Sequence, residues 1–197
     1  MIGVIDYGAG NVGSVLRAVQ YLGCTAEPIH DPAKLASASK IILPGQGHFG
    51  AMMEALSAKS MIEPLREHIN SGKAFLGICL GLQALYESSE EAPQNTGFGL
   101  LPGRVRKFEG IFKVPHVGWS QLDIRRPHGL FKDIPNGSFA YFCHSYYGPI
   151  TDETIAVTEY GQSFTAGIES GSAWAVQFHP EKSGDVGLAV LRNFLKS

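Results

Sequence analysis

The segment Ala74-Phe75-Leu76-Gly77-Ile78-Cys79-Leu80-Gly81-Leu82-Gln83 constrains this chain more than any other. An unbroken apolar run from Ala74 to Ile78 is what a strand buried on both faces requires. It runs straight into Cys79, and a helical pattern from Leu82 to Tyr86 leads out. A reactive side chain between a buried strand and a helix, with glycine two residues before and after it, is the logic of a nucleophile elbow. The turn is sharp, and glycine at 77 and 81 relieves the crowding of its flanks. Cys79 then projects from the tip, near a helix N-terminus whose partial positive charge favours a thiolate. The competing reading is a buried structural cysteine, a common fate of free thiols. Cys24 and Cys143 lack the flanking glycines and take that reading.

The rest of the first half fits the same architecture. Ile2–Ile5, Thr25–Ile29 and Lys40–Leu43 read as short strands. Val12, Val15, Leu16, Val19 and Leu22 repeat at helical spacing, with Gly23 at the C-terminal cap position. Phe49–Leu56 is helical in period, and Ser60-Met61-Ile62-Glu63 has the form of a capping box that opens a helix running toward Gly72. Strand–helix alternation predicts an α/β fold with a mostly parallel central sheet flanked by helices. From Gly97 onward the texture becomes β-rich: Arg104–Phe108, Trp119–Ile124, Phe139–Tyr147, Thr154–Glu159 and Ala173–Phe178. A last helix, Asp185–Leu195, places Val186, Ala189, Val190 and Phe194 on one side. No linker or repeat interrupts the chain, so residues 1–197 read as one domain.

Composition narrows the function. Net charge is −2, and the longest basic block is Arg125-Arg126, which argues against nucleic acid as the main partner. No apolar run approaches the roughly 18 residues of a membrane helix, and the N-terminus shows no secretory pattern. Three cysteines at wide spacing fit neither a disulfide framework nor a metal site. A cytoplasmic protein without metal or cofactor is expected.

A nucleophilic cysteine needs a base. His179 ends the apolar strand Trp174–Phe178 and is followed by Pro180 and Glu181. In extended chain, positions 179 and 181 share a face, so carboxylate and imidazole can meet. The carboxylate fixes the tautomer, and the free ring nitrogen carries protons between thiol and leaving group. The competing reading is an exposed His–Glu pair of little consequence. Pro44-Gly45-Gln46-Gly47, after a buried strand, can aim backbone N–H groups at a developing oxyanion, with the Leu80 N–H as a second donor. It also reads as an ordinary glycine-rich turn.

Together Gly77–Gln83 and His179-Pro180-Glu181 resemble the class I glutamine amidotransferase family, with its GxCxGxQ and HPE motifs. The resemblance implies a flavodoxin-like architecture, L-glutamine as substrate, and Cys79, His179 and Glu181 as nucleophile, base and orienter. It implies that Gln83 and Glu91 hold the amino end of glutamine, and that backbone at Ser145 and Tyr146 holds its carboxylate. Further segments, Asp6–Asn11, Pro44–Phe49, Pro115–Trp119, Tyr141–Tyr146 and His179–Ser183, resemble the branch of the family that feeds ammonia to a (β/α)8-barrel cyclase of histidine biosynthesis. That likeness implies a heterodimer, with Asn11, Trp119, Tyr141 and Lys182 in the segments at the interface. Gln46 stands where the family usually carries an apolar residue, but the role there belongs to the backbone N–H. A related glutaminase that serves pyridoxal phosphate synthesis carries a motif like GTCAG in place of Gly77–Gly81. A non-catalytic interaction subunit of the same fold is the rival from another class.

Overall fold

The computed structural model describes residues 1–197. The first half comprises β1 (Ile2–Ile5), α1 (Val12–Tyr21), β2 (Ala26–Ile29), α2 (Pro32–Leu35), β3 (Lys40–Gly45), α3 (Phe49–Ala58), α4 (Ile62–Asn70), β4 (Ala74–Cys79) and α5 (Leu80–Gln83). The second half comprises β5 (Tyr86–Ser89), β6 (Leu101–Lys107), β7 (His116–Gln121), β8 (Asp123–Ile124), β9 (Phe139–His144), β10 (Tyr146–Tyr147), β11 (Thr154–Glu159), β12 (Ser163–Ser170), β13 (Ala173–Val176) and α6 (Gly184–Lys196).

Eight strands form the central sheet in the order β2-β1-β3-β4-β13-β12-β11-β8. The pairings from β2 to β13 are parallel, and those from β13 to β8 are antiparallel. The parallel part follows the doubly wound order in which sites form at the carboxyl ends of strands. Alternation along the strands explains their continuous apolar sequence. Ile5, Leu43 and Phe75 face one core, with Phe49, Leu56 and Leu65 of α3 and α4. Their neighbours Val4, Ile42 and Leu76 face the other, with Val15 and Val19 of α1 and Val190, Leu191 and Phe194 of α6. Successive side chains point to opposite faces, so both must be apolar when helices cover both.

Two local expectations are corrected and a third is extended. The Ser60–Glu63 capping box does not form: Ser60 has φ +54°, and α4 starts at Ile62 after Met61, with no side-chain cap bond. Leu82–Tyr86 is not a helix. It stops after Gln83, and Tyr86 begins β5, which pairs in parallel with β6. The chain turns because buried Leu85 and Tyr86 join the core under that small sheet. On α6 the expected side does face the core, with Val190 and Phe194 buried and Val186 and Ala189 packed at its edge, but that face also takes in Gly187 and Leu191. Gly187 packs so closely on the preceding turn that a Cβ there would stand 1.9 Å from the Pro180 carbonyl oxygen, a constraint no hydrophobicity pattern records. The strands β5 and β12 and the short α2 had no clear sequence signal.

Candidate active site

Register brings three strand ends together. Gly45 at the end of β3 lies beside Cys79 at the end of β4, and Ile78 pairs with Val176 at the end of β13. The chain emerging from β13 delivers Gln177 and His179 to the same edge. Cys79 sits on the tip of the β4–α5 turn with φ +56° and ψ −105°, a conformation that costs a non-glycine residue strain. Close packing keeps it there. A Cβ on Gly81 would stand 2.1 Å from the Leu43 carbonyl oxygen, and one on Gly77 2.5 Å from the Gly81 carbonyl oxygen. The two glycines permit a backbone approach that no other residue allows.

His179 and Glu181 meet, by a different route from the extended chain expected. His179 is extended, and Pro180–Lys182 form a single 3-10 turn that carries Glu181 back. His179 Nδ1 and Glu181 Oε1 are 2.9 Å apart, with side chains only 3% and 1% exposed. An ionised carboxylate only accepts, so Nδ1–H donates and Nε2 is left for Cys79. Burial by itself pushes the pKa of His179 down. Hydrogen bonds to the Cys79 sulfur and the Glu181 carboxylate, with the charge of both partners, override it and raise the value to about 10. The imidazole is therefore held as the proton-bearing member of the set. The His179 backbone is pinned too: its N–H donates to the Tyr141 carbonyl at 2.9 Å, and its own carbonyl accepts from Ser183 Oγ at 2.7 Å.

A cavity of about 340 Å³ opens over Cys79 and His179, lined also by Gln46, Gly47, Leu80, Gln83, Glu91, Ser145 and Tyr146. Gly45 lies behind it, packed against Leu80. Glu91 Oε2 accepts the Phe49 N–H at the start of α3 at 2.7 Å, which leaves its other oxygen for the cavity. The Gln46 backbone lies beside the Tyr7 phenol, whose oxygen is buried without a hydrogen-bond partner. Burial pushes that phenol up to about 12. A wider hollow of about 850 Å³ beside Trp119 and Phe139 is lined by no cysteine or histidine, whereas the smaller cavity brings Cys79 and His179 together. No three His, Cys, Asp or Glu side chains converge as a metal site.

Two polar residues escaped the sequence reading. Gln177 is fully buried, with Nε2 3.6 Å from Cys79 Sγ. His144 is buried beside the cavity, and its Nδ1 contacts the Tyr146 carbonyl at 2.7 Å. A glutamine inside an apolar strand was the available signal for the first. Of the remaining expected residues, Trp119 and Tyr141 are cross-strand partners on the β7–β9 ribbon, rings 6.0 Å apart, with Trp119 54% exposed. Lys182 is exposed, and Asn11 is half-buried at the start of α1.

A thiol on a strained strand-to-helix turn, backed by a buried imidazole–carboxylate pair at the carboxyl ends of parallel strands, defines the class: a thiol hydrolase of the nucleophile-elbow type. Residues 3–197 match the family model for class-I glutamine amidotransferases. The HisH subunit of imidazole glycerol phosphate synthase from Syntrophotalea carbinolica is 44% identical over 203 residues, covering 98% of each chain. The HisH subunit from Chlorobium luteolum is 46% identical over 198 residues, with 98% coverage of each. Among solved structures, a glutamine amidotransferase superposes with TM-score 0.78 at 18% identity, covering 99% of this chain and 97% of its own. The structure of PurLQS from Thermotoga maritima gives 0.76 at 21% identity, with the same coverage. The chain belongs to the class-I glutamine amidotransferases and, among them, groups with the HisH subunits of imidazole glycerol phosphate synthase.

Proposed function

We propose that this chain is the glutaminase subunit of an imidazole glycerol phosphate synthase. As a single domain in the cytoplasm, it hydrolyses L-glutamine and passes ammonia to a (β/α)8-barrel cyclase, which makes imidazole glycerol phosphate and an aminoimidazole carboxamide ribotide. The observation that carries the chemistry is the buried His179–Glu181 pair, 2.9 Å apart, which shares the lining of one cavity with the Cys79 thiol. The Cys79 thiolate attacks the side-chain amide carbon of glutamine, and its carbonyl oxygen takes the charge. Collapse breaks the C–N bond as His179 Nε2–H protonates the leaving nitrogen, giving ammonia and a glutamyl thioester. His179, now neutral, takes a proton from water. The hydroxide attacks the thioester, and glutamate leaves as the thiolate is restored. Glu181 holds the ring through both halves. Gln83 and Glu91 receive the substrate's amino end, and the backbone at Ser145 and Tyr146 its carboxylate.

The Leu80 N–H is one oxyanion donor. The Gln46 N–H is the other, on backbone that lies beside Tyr7 in this state. Reorienting the Gly45–Gly47 loop toward the cavity is the step that a docked cyclase favours. The surface supports a docking partner. One face of the β7–β9 ribbon is packed on the core through His116, Ala140 and Phe142, while Val117, Trp119 and Phe139 on the other are 53%, 54% and 52% exposed. A bare apolar sheet face of this kind marks an interface. Tyr141 joins that face to the site through its bond to His179, and Asn11 and Lys182 are the further residues assigned to the interface. The test is glutamate release by the chain alone, with the cyclase, and with the cyclase plus its nucleotide ligand. Activation on the order of 10²- to 10³-fold is expected, the size of one oxyanion donor. Equal rates in all three conditions would reject the gating, and failure to co-elute would reject the partner.

A further inference from the structure

A buried row of polar groups runs from the substrate end of the cavity to the nucleophile, and its first member fixes the orientation of all the others. The Tyr146 carbonyl oxygen can only accept. It lies 2.8 Å from Gln83 Nε2, so the Gln83 nitrogen must point there. The second proton of that nitrogen goes to Gln177 Oε1 at 3.1 Å. Gln177 is then left with its own Nε2 toward Cys79 Sγ, at 3.6 Å. Turning both amides over would set the Gln83 oxygen against the Tyr146 carbonyl, two acceptors with no proton between them. Gln177 is itself held in place, because its backbone N–H donates to the Ala166 carbonyl at 2.9 Å. Both glutamine side chains are buried, 0% and 1% exposed.

A neutral thiol is a poor acceptor, whereas a thiolate is a strong one. A buried amide N–H aimed at the sulfur is therefore better satisfied when the sulfur is ionised. Unlike His179, the amide exchanges no proton, so it orients the sulfur throughout the cycle. We infer that Gln177 is a positioning residue: its side-chain N–H holds the Cys79 sulfur as an acceptor, and through Gln83 it links the filling of the substrate site to the nucleophile. This rests on the reading of Cys79 as the nucleophile that attacks glutamine. The link has a free end. Gln83 Oε1 is buried without a partner, and the amino group of a bound glutamine is a donor able to meet it. A donor on Oε1 polarises the Gln83 amide, which strengthens its N–H toward Gln177 and, in turn, the Gln177 N–H toward sulfur.

The test replaces Gln177 with Met, of similar length and with no N–H. The readouts are steady-state glutaminase activity in the complex and the rate of iodoacetamide alkylation at Cys79, followed by peptide mass spectrometry. A hydrogen bond to an ionised group corresponds to a loss of kcat/KM on the order of 10- to 100-fold. That loss should fall on kcat rather than KM, the acid limb of kcat/KM should move to higher pH, and alkylation at fixed pH should slow. Gln83→Met, which cuts the row one step earlier, should raise KM more and slow alkylation less. Should Gln177→Met fail to fold, Gln177→Glu serves: it retains an acceptor for Gln83, offers the sulfur no N–H, and predicts the same slowing. An unchanged alkylation rate and pH profile would overturn the inference even if kcat falls, since that is the pattern of a structural role. Alkylation needs no glutaminase activity. A wild-type complex that releases no glutamate therefore defeats the functional reading by a separate route.

Discussion

At the residue scale the chemistry divides among a few side chains, and substitutions should separate them. Cys79→Ala should abolish glutamine hydrolysis while the complex still makes product from supplied ammonia. Glutamine-dependent turnover in that variant would sink the assignment. Cys24 lies away from the cavity, and Cys24→Ala should keep its activity. His179→Ala removes the only group placed to protonate the departing nitrogen, and a loss on the order of 10³-fold is expected. Glu181→Gln keeps a hydrogen-bonding group against Nδ1 and should be milder; kinetics in the reverse order would exchange the roles. Cys79, His179 and Glu181 were legible as candidates because glycine spacing and closeness in sequence are local, although a 3-10 turn and not an extended chain brings the His179–Glu181 pair together. The row from Tyr146 to Gln177 could not, since residues 83, 146 and 177 meet only when strands from distant parts of the chain align.

At the element scale the β3–β4–α5 junction is the least tolerant part of the molecule. Gly81→Ala places a methyl 2.1 Å from the Leu43 carbonyl oxygen, and backbone rather than a flexible side chain must move. The expected cost is about 3 kcal/mol, visible as a lowered denaturant midpoint and a displaced Cys79. Ser60 offers the opposite case. Its positive φ, not a capping role, defines it, so Ser60→Gly should raise stability by about 0.5–1 kcal/mol. Thermal melts of Ser60→Gly and Ser60→Ala separate the two views, because a capping box would make both variants less stable. Most strand and helix positions were legible because apolar periodicity is strong where both faces of the sheet are covered. Where a segment turned early, as at Tyr86, the core beneath it overrode local propensity.

For the whole molecule, buried histidines set the response to pH. His116 stacks on Tyr160 at 4.0 Å and contacts His144. Burial lowers their pKa values from 6.5 to about 4 and about 3. Groups that fold neutral contribute stability that is complete above 6.5, the unfolded value, and is lost as pH falls toward the folded values. Each proton taken up adds a slope of about 1.4 kcal/mol per pH unit. His179 has the opposite sign: raised to about 10, its contribution is complete below 6.5 and is lost as pH rises through the folded value. Stability should therefore fall on both sides of neutrality, and His116→Gln should flatten the acid side by about one proton's slope. Urea midpoints measured across that range check both limbs. At the same scale, Trp119→Ala should weaken cyclase binding by about 1–3 kcal/mol, with little change in the alkylation of Cys79; calorimetric titration against the cyclase reads the first.

The sequence by itself determined the layered α/β architecture and the family to which the chain belongs, and it singled out the candidate nucleophile with its imidazole–carboxylate pair. Each is written in short-range pattern: continuous apolar runs for a sheet covered on both faces, glycines two residues either side of Cys79, and His179 two residues before Glu181. Tertiary structure alone decided which polar groups are buried against the sulfur, and that Val117, Trp119 and Phe139 share one bare face. Those facts depend on the register between strands and on how both cores fill. Neither is encoded in any single stretch of chain, because each follows from packing energies summed over residues far apart in sequence.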